Sequence, residues 1–257
     1  MRDFKRYFYE IETLGFTIVE NLISQNEAQE LKRHLDIALE ADNKKYLNKP
    51  QKKEHHIMEL VTAGQIFIDF LDNDIMHKIY SNFLSDTCIL YTYSSTILRP
   101  GDVLDSHSIH VDTPRLIPGY HHALSMTLAL DDFINENGAT LCLPGSHKFE
   151  TPPSEETFKK YAVATVRKAG DALFWNPRLY HSAGENKSSK ARYALSTYAV
   201  RAFMKQRFDF SRMVPKEYLV NAPERVKRFL GFNVRVPVGL DEFYVEPEKR
   251  LYKANQG

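Results

Sequence analysis

Cysteine is nearly absent: Cys88 and Cys142 are the two in 257 residues. Two thiols are too few for a disulfide framework or a thiolate zinc site, so both are expected to be reduced and buried as small hydrophobes. No uncharged apolar run approaches the roughly 18 residues a spanning helix needs. The first residues, MRDFKRYFYEIETLGF, are broken up by charge and hold no apolar h-region, which argues against a signal peptide. Charge of one sign is not in excess either, since 34 Lys and Arg face 33 Asp and Glu for a formal net charge of +1. Nucleic-acid binders usually carry a clear basic excess, so that partner is excluded along with the membrane. Internal repeats and low-complexity tracts are missing as well. What remains, 43% hydrophobic and 26% charged, is ordinary globular text, and it predicts one cytoplasmic domain spanning residues 1–257.

Within that domain the character changes twice. Residues 1–87 read as mixed and mostly helical. Gly15-Phe16-Thr17-Ile18-Val19 is a short β-branched run, and Ser24-Gln25-Asn26-Glu27 is a capping-box pattern. Ala28, Leu31, Leu35, Ala38 and Leu39 then fall at helical spacing, predicting a helix to about Asp42. The basic stretch Lys44–Lys53, interrupted by Pro50, reads as a solvated loop or a mobile flap. Two more helical patterns cover Ile57–Leu71 and Ile75–Leu84. Residues 88–202 read as short strands and turns: Cys88–Leu98, Leu124–Leu130 with Ser125, Thr127 and Ala129 on its polar face, Ala172–Trp175, and Arg192–Val200. Frequent turns between short strands suggest a sandwich or barrel. Residues 203–257 return to helical and irregular text, with a helix expected at Glu224–Leu230. The fold class is mainly β with flanking helices.

The sharpest local feature is His110-Val111-Asp112. On a strand, residues i and i+2 point the same way, so imidazole and carboxylate converge. His181, 69 residues beyond Asp112 and just after an apolar strand, is placed to supply a third ligand. Two imidazoles and one carboxylate form the facial triad of non-haem Fe(II) oxygenases, which leaves open positions on the metal. Arg192 lies 11 residues past His181, across the turn SAGENKSSKA. If the two flanking strands run antiparallel, its guanidinium returns beside the metal and can take a carboxylate by a bidentate pair. The small face of Ser125, Thr127 and Ala129 leaves room for that cosubstrate, and Ala194, Ser196 and Tyr198 share the face of Arg192. His107, His121, His122 and His147 are competing imidazoles in turns and loops. His34, His55 and His56 belong to segments read as solvated.

Taken together, these residues resemble the phytanoyl-CoA dioxygenase-like Fe(II)/2-oxoglutarate oxygenases. The resemblance rests on His110-Val111-Asp112, on Asp131-Asp132 followed by Glu136-Asn137-Gly138-Ala139-Thr140-Leu141, and on Leu143-Pro144-Gly145-Ser146-His147-Lys148. It continues through Gly170-Asp171-Ala172-Leu173-Phe174-Trp175 to His181 and Arg192, and takes in Gly15–Glu20 and Arg228-Phe229-Leu230-Gly231-Phe232. It implies a double-stranded β-helix (jelly-roll) core, with Fe(II), 2-oxoglutarate and O2. By position, His110, Asp112 and His181 match the iron ligands, Arg192 the arginine for the distal 2-oxoglutarate carboxylate, and Thr127 a side chain that touches the cosubstrate. One departure is Ala183, where the family often has a hydroxyl residue. The presence of Asp112 disfavours the related halogenases, which carry Gly or Ala there.

The implied activity is oxidation of an unactivated C–H bond of a small molecule, hydroxylation by default, with succinate and CO2 as coproducts. Two alternatives stay open: a jelly-roll metal enzyme such as a cupin-like isomerase or hydrolase, which usually lacks the arginine, and a non-catalytic binding module. The sequence does not name the substrate; anionic metabolites and natural-product intermediates are the classes considered. Arg115, next to the triad, and Tyr198 are the candidate substrate contacts. The segment after Phe203 is expected to cover the pocket mouth. The oligomeric state is left open.

Overall fold

The computed structural model describes residues 2–48, 55–102 and 105–256. Helix α1 (Phe4–Thr13) starts on the Asp3 side chain, which accepts from the Arg6 amide, and buries Tyr7 and Ile11. Strand β1 (Phe16–Val19) leads into α2 (Gln25–Lys45), where Ser24 and Glu27 close the predicted capping box. The buried stripe of α2 is the predicted one, Ala28, Leu31, Leu35, Ala38 and Leu39, but the helix runs past Asp42 to Lys45. The basic stretch therefore begins as a helix end, and its residues 49–53 lie outside the described residues.

The helical pattern expected at Ile57–Leu71 is broken up. Ile57 pairs with Ser95 instead, its carbonyl accepting from the Ser95 amide at 2.9 Å and its own amide donating to Ser95 Oγ at 2.9 Å. Glu59 forms a parallel bridge to Tyr93. An open sheet edge recruits extended backbone more strongly than local propensity makes helix. A single 3-10 turn covers Leu60–Thr62, and an α-helix, α3 (Gln65–Phe70), forms after Gly64, whose φ is +148°. His56, read as solvated, is buried by the same pairing and contacts the Ser95 carbonyl at 3.2 Å.

After α4 (Asp74–Leu84) come β2 (Ile89–Leu98), β3 (Ala123–Ala129), β4 (Leu141–Cys142), α5 (Glu155–Tyr161), β5 (Val163–Ala164), β6 (Ala172–Trp175), β7 (His181–Ser182) and β8 (Arg192–Val200). Helices α6 (Phe210–Met213), α7 (Glu224–Phe229) and α8 (Leu240–Phe243) follow. The strands form two antiparallel sheets, of order β1-β6-β3-β8-β2 and β5-β4-β7. Alternation divides the larger sheet into two chemistries. Leu124, Met126, Leu128, Phe174 and Leu195 face the main core with the helices. Tyr80 of α4 seals that face: its ring meets Phe174 edge-on at 5.6 Å, and its hydroxyl shares a 2.6 Å hydrogen bond with Thr197 Oγ1. The opposite face, with Ser125, Thr127, Ala194 and Ser196, lines a cavity of about 490 Å³ that β7 of the smaller sheet also borders. Both cysteines are free and buried, and among the described residues no helix is long and apolar enough to cross a membrane.

Candidate active site

His110 and His181 are joined through their backbones. Each amide donates to the other's carbonyl at 3.0 Å. Such a closed antiparallel pair sends both side chains to one side, and the two imidazole centres lie 4.3 Å apart. The His110-Val111-Asp112 segment is not the regular strand expected: it pairs with the β7 region through the His110 bridge and through the Asp112 amide, which donates to the Pro177 carbonyl at 2.8 Å. Those two anchors suffice to bring the carboxylate to the imidazoles.

Each group is oriented by a partner that leaves one atom free. The Nδ1 atoms of His110 and His181 lie 2.8 and 2.9 Å from the carbonyls of Ser108 and Leu179. A ring nitrogen facing a carbonyl must donate, which leaves each Nε2 as the lone-pair atom. Asp112 Oδ2 accepts from Ser125 Oγ at 2.8 Å and from Trp175 Nε1 at 3.0 Å. Its Oδ1 stands 3.9 Å from His110 Nε2 and 3.7 Å from His181 Nε2. One ligand atom from each residue lies within 4.8 Å of the others, a spacing that could hold a metal ion. Burial lowers the pKa of His181, opposed by the Asp112 charge and aided by His110, and a neutral imidazole is the ligating form.

The sequence does not link Ser125 or Trp175 to Asp112, yet the two face each other in the β3–β6 register. The alternation that puts Ser125 on the polar face was the signal for one. The lone tryptophan, opposite it on the neighbouring strand, was the signal for the other.

Arg192 borders the same cavity and is 4% exposed. Its Nε is buried without a hydrogen-bond partner, and its guanidinium carbon sits 4.0 Å from the centre of the Phe133 ring. Burial lowers its pKa to about 10, offset by Asp131. The route from His181 to Arg192 differs from expectation: β7 and β8 do not pair but belong to different sheets, so the turn crosses from one sheet to the other. Asn186 ties that turn down by donating to the carbonyls of Leu98 and Lys190 at 2.8 and 2.9 Å. Gly138 and Gly184 meet backbone to backbone beside it. A Cβ on Gly138, whose φ is +85°, would stand 2.4 Å from the Gly184 carbonyl oxygen.

Thr127, Tyr198 and Ala183 all line the cavity, with Thr127 Oγ1 at 3.2 Å from Ser196 Oγ. Burial and then the Asp112 charge raise the pKa of Tyr198, keeping its phenol neutral. Arg115 is not brought there. The Pro114 carbonyl accepts from Arg178 at 2.8 Å, and Arg115 lines a separate cavity with His121, His122 and Lys148. The wall of the triad cavity carries Arg207 as a second arginine besides Arg192, accompanied by Met204, Tyr91, Thr92 and Thr96. The segment after Phe203 thus supplies wall residues at its start, whereas Phe210, Val226, Phe229 and Leu230 pack into the core. His147, beneath Gly15, contacts the Glu12 carbonyl at 3.2 Å and braces the start of β1.

The chain resembles known proteins in both sequence and fold. A mycobacterial relative, "Uncharacterized protein Rv1501" of Mycobacterium tuberculosis, is 34% identical over 196 residues, covering 74% of this chain and 72% of its own. "Dioxygenase FUM3" of Gibberella moniliformis is 24% identical over 248 residues, or 87% of this chain and 80% of that one. Among solved structures, HygX from Streptomyces hygroscopicus with nickel and 2-oxoglutarate bound superposes with a TM-score of 0.61 at 15% identity, over 79% of this chain and 88% of that one. The family described as Phytanoyl-CoA dioxygenase (PhyH) matches residues 11–194. With that match spanning the triad and Arg192, the chain belongs to the phytanoyl-CoA dioxygenase (PhyH) family.

Proposed function

We propose that this protein is an Fe(II)- and 2-oxoglutarate-dependent dioxygenase that oxidises an unactivated C–H bond of a small molecule, with a double-stranded β-helix as its core. The observation that carries the reading is one cavity bordered both by an oriented His110–Asp112–His181 set and by a buried arginine with an orphaned donor. The donor set fits the metal: two imidazoles and a carboxylate leave positions open for further ligands. The orphaned Arg192 Nε fits a carboxylate, because a buried guanidinium without an anion is costly. When bound, the iron and 2-oxoglutarate supply O2 activation coupled to decarboxylation, with succinate and CO2 as coproducts.

The protein's own part is placement. Ser125 and Trp175 hold Asp112 so that Oδ1 is the ligating oxygen. Arg192 takes the distal carboxylate of 2-oxoglutarate, with Thr127 beside it on the same face. Ala183 offers no hydroxyl, so Arg192 and Thr127 carry more of that recognition. The substrate occupies the part of the cavity walled by Tyr91, Thr92, Met204 and Arg207, where Tyr198 stands in register between Thr92 and the Asp112 partner Ser125. A volume of about 490 Å³ suits a small metabolite or natural-product intermediate. An anionic group on it would meet Arg207.

Anaerobic addition of Fe(II) and then 2-oxoglutarate to the metal-free protein tests this. A visible charge-transfer band that requires both, and is lost in His181→Ala, is the expected outcome. Iron binding without such a band would sink the cosubstrate assignment and leave a metal enzyme of another type.

A further inference from the structure

Arg167 is a second buried guanidinium that the catalytic reading leaves without a task. It is 3% exposed, and its side-chain bonds are from Nη1 to the Thr165 carbonyl at 2.9 Å and to Thr165 Oγ1 at 3.1 Å. Both Nε and Nη2 are buried with no partner. Its guanidinium carbon lies 3.8 Å from the centre of the Phe133 ring, the ring that also carries Arg192 at 4.0 Å. The backbone explains the meeting: Phe133 and Arg167 form a closed antiparallel bridge, with bonds of 2.7 and 3.0 Å.

Two cations sharing one aromatic ring would ordinarily come with acids. Among the described residues, neither arginine has a salt bridge. Asp131, whose charge reaches Arg192, is engaged by Lys32 Nζ at 2.6 Å and by the Tyr193 amide at 3.0 Å. Asp171, whose charge reaches Arg167, accepts from the amides of Asn21 and Lys168 at 2.7 and 2.9 Å. Two buried guanidiniums thus share one ring with no directly paired anion among the described residues, and an arrangement of this kind lowers stability unless an anion arrives.

We propose that Arg167 is a positioning residue for the cosubstrate: packed on Phe133, it holds the Arg192 guanidinium in place and adds a second buried positive charge that a dicarboxylate compensates on binding. This inference rests on the 2-oxoglutarate reading above. It assigns Arg167 no contact with the cosubstrate; the effect passes through the ring and through the field.

The test compares wild type with Arg167→Met, which keeps volume and loses charge, and Arg167→Lys, which keeps charge and loses the planar stack. Phe133→Leu removes the shared ring. Two quantities are measured: the Tm of the metal-free protein, and the 2-oxoglutarate concentration that half-develops the anaerobic Fe(II) charge-transfer band. The expected result is a Tm of Arg167→Met at or above wild type, because an uncompensated buried charge has been removed. Its half-saturation should rise about tenfold, the size of one charge acting across several Å of protein. Arg167→Lys should recover part of that loss, and Phe133→Leu should show a similar loss. An affinity loss without a fall in Tm, or one that lysine restores, supports the proposal. Unchanged half-saturation overturns it, and so does an affinity loss that accompanies a fall in Tm and is not restored by lysine, which marks a packing defect. If Arg167→Met does not fold, Arg167→Lys and Phe133→Leu decide on the same half-saturation. Absence of a 2-oxoglutarate-dependent band in wild type would overturn the parent reading, and this one with it.

Discussion

Asp112 carries two hydrogen bonds on one oxygen and offers the other to the imidazoles. That division of labour makes Ser125 and Trp175 as informative as the ligands themselves. Ser125→Ala and Trp175→Phe each remove one donor from Oδ2, and partners of this kind are typically worth roughly 10–100-fold in metal affinity. Titration with Ni(II) under conditions where wild type saturates should show a loss of that order in each variant. Affinities equal to wild type would mean that the backbone alone orients Asp112. Tyr198, kept protonated by burial and by the Asp112 charge, is available as a hydrogen-bond donor and not as a base.

Helix α4 does for the larger sheet what the two donors do for Asp112. Tyr80 is fully buried and links α4 to β8 through Thr197, while α7 presses Phe229 against Tyr80 at 5.7 Å. Tyr80→Phe leaves the shape and removes one buried hydrogen bond, so a destabilisation of about 1–2 kcal/mol is expected in denaturant unfolding. A change below a few tenths would show that the bond contributes nothing net. On the same helix His77 is buried, contacts the Leu71 carbonyl at 2.7 Å and meets Phe229 edge-on at 5.2 Å. Burial lowers its pKa below 6.5, more than the Leu71 carbonyl raises it. The unfolded chain therefore takes up a proton first as pH falls through 6.5, and stability declines from there until the lowered folded-state value is reached. His77→Gln should flatten the loss of Tm of the metal-free protein as pH falls below about 6.5. A slope equal to wild type would exclude His77 as a contributor.

For the molecule as a whole, the cavity between the two sheets couples ligand binding to global stability. On the proposed function, metal and 2-oxoglutarate bind only the folded chain, so at about 100 times their dissociation constants each should add about 2.7 kcal/mol. In a chain of this size that corresponds to a rise in Tm of roughly 5–10 °C per ligand. Thermal unfolding should show one step with Ni(II) and a further step with 2-oxoglutarate. Arg192→Met should keep the first and lose the second; loss of both would mean that Arg192 supports the fold and not the carboxylate. Gly138→Ala tests the crossing turn. It forces an L-residue to φ +85° against the Gly184 carbonyl, costing roughly 1–3 kcal/mol from the backbone alone.

Local rules and pattern were enough for much of this protein. The Ser24 capping box, the buried stripe of α2, the alternation of β3 and β8, and the family-like spacing of His110, Asp112, His181 and Arg192 were all legible, because each depends on neighbours in sequence or on a period of two or 3.6 residues. The remainder depended on distant partners. Ile57–Glu59 left the helical pattern expected through Leu71 because the β2 edge was there to pair with, while Gln65–Phe70 kept it. Arg115 lines another cavity, beside the bond from Arg178 to the Pro114 carbonyl, and Arg207 stands on the triad cavity's wall instead. Arg192 reached the cavity by a crossing between sheets, and Arg167 reached the Phe133 ring through a bridge to a residue 34 positions before it. Nothing in a one-dimensional period encodes which sheet edge is vacant or which carbonyl a remote guanidinium will find. Residue chemistry and local order were therefore readable from the chain, while the company each charged side chain keeps was decided by the tertiary structure, where burial sets the cost of leaving any of them alone.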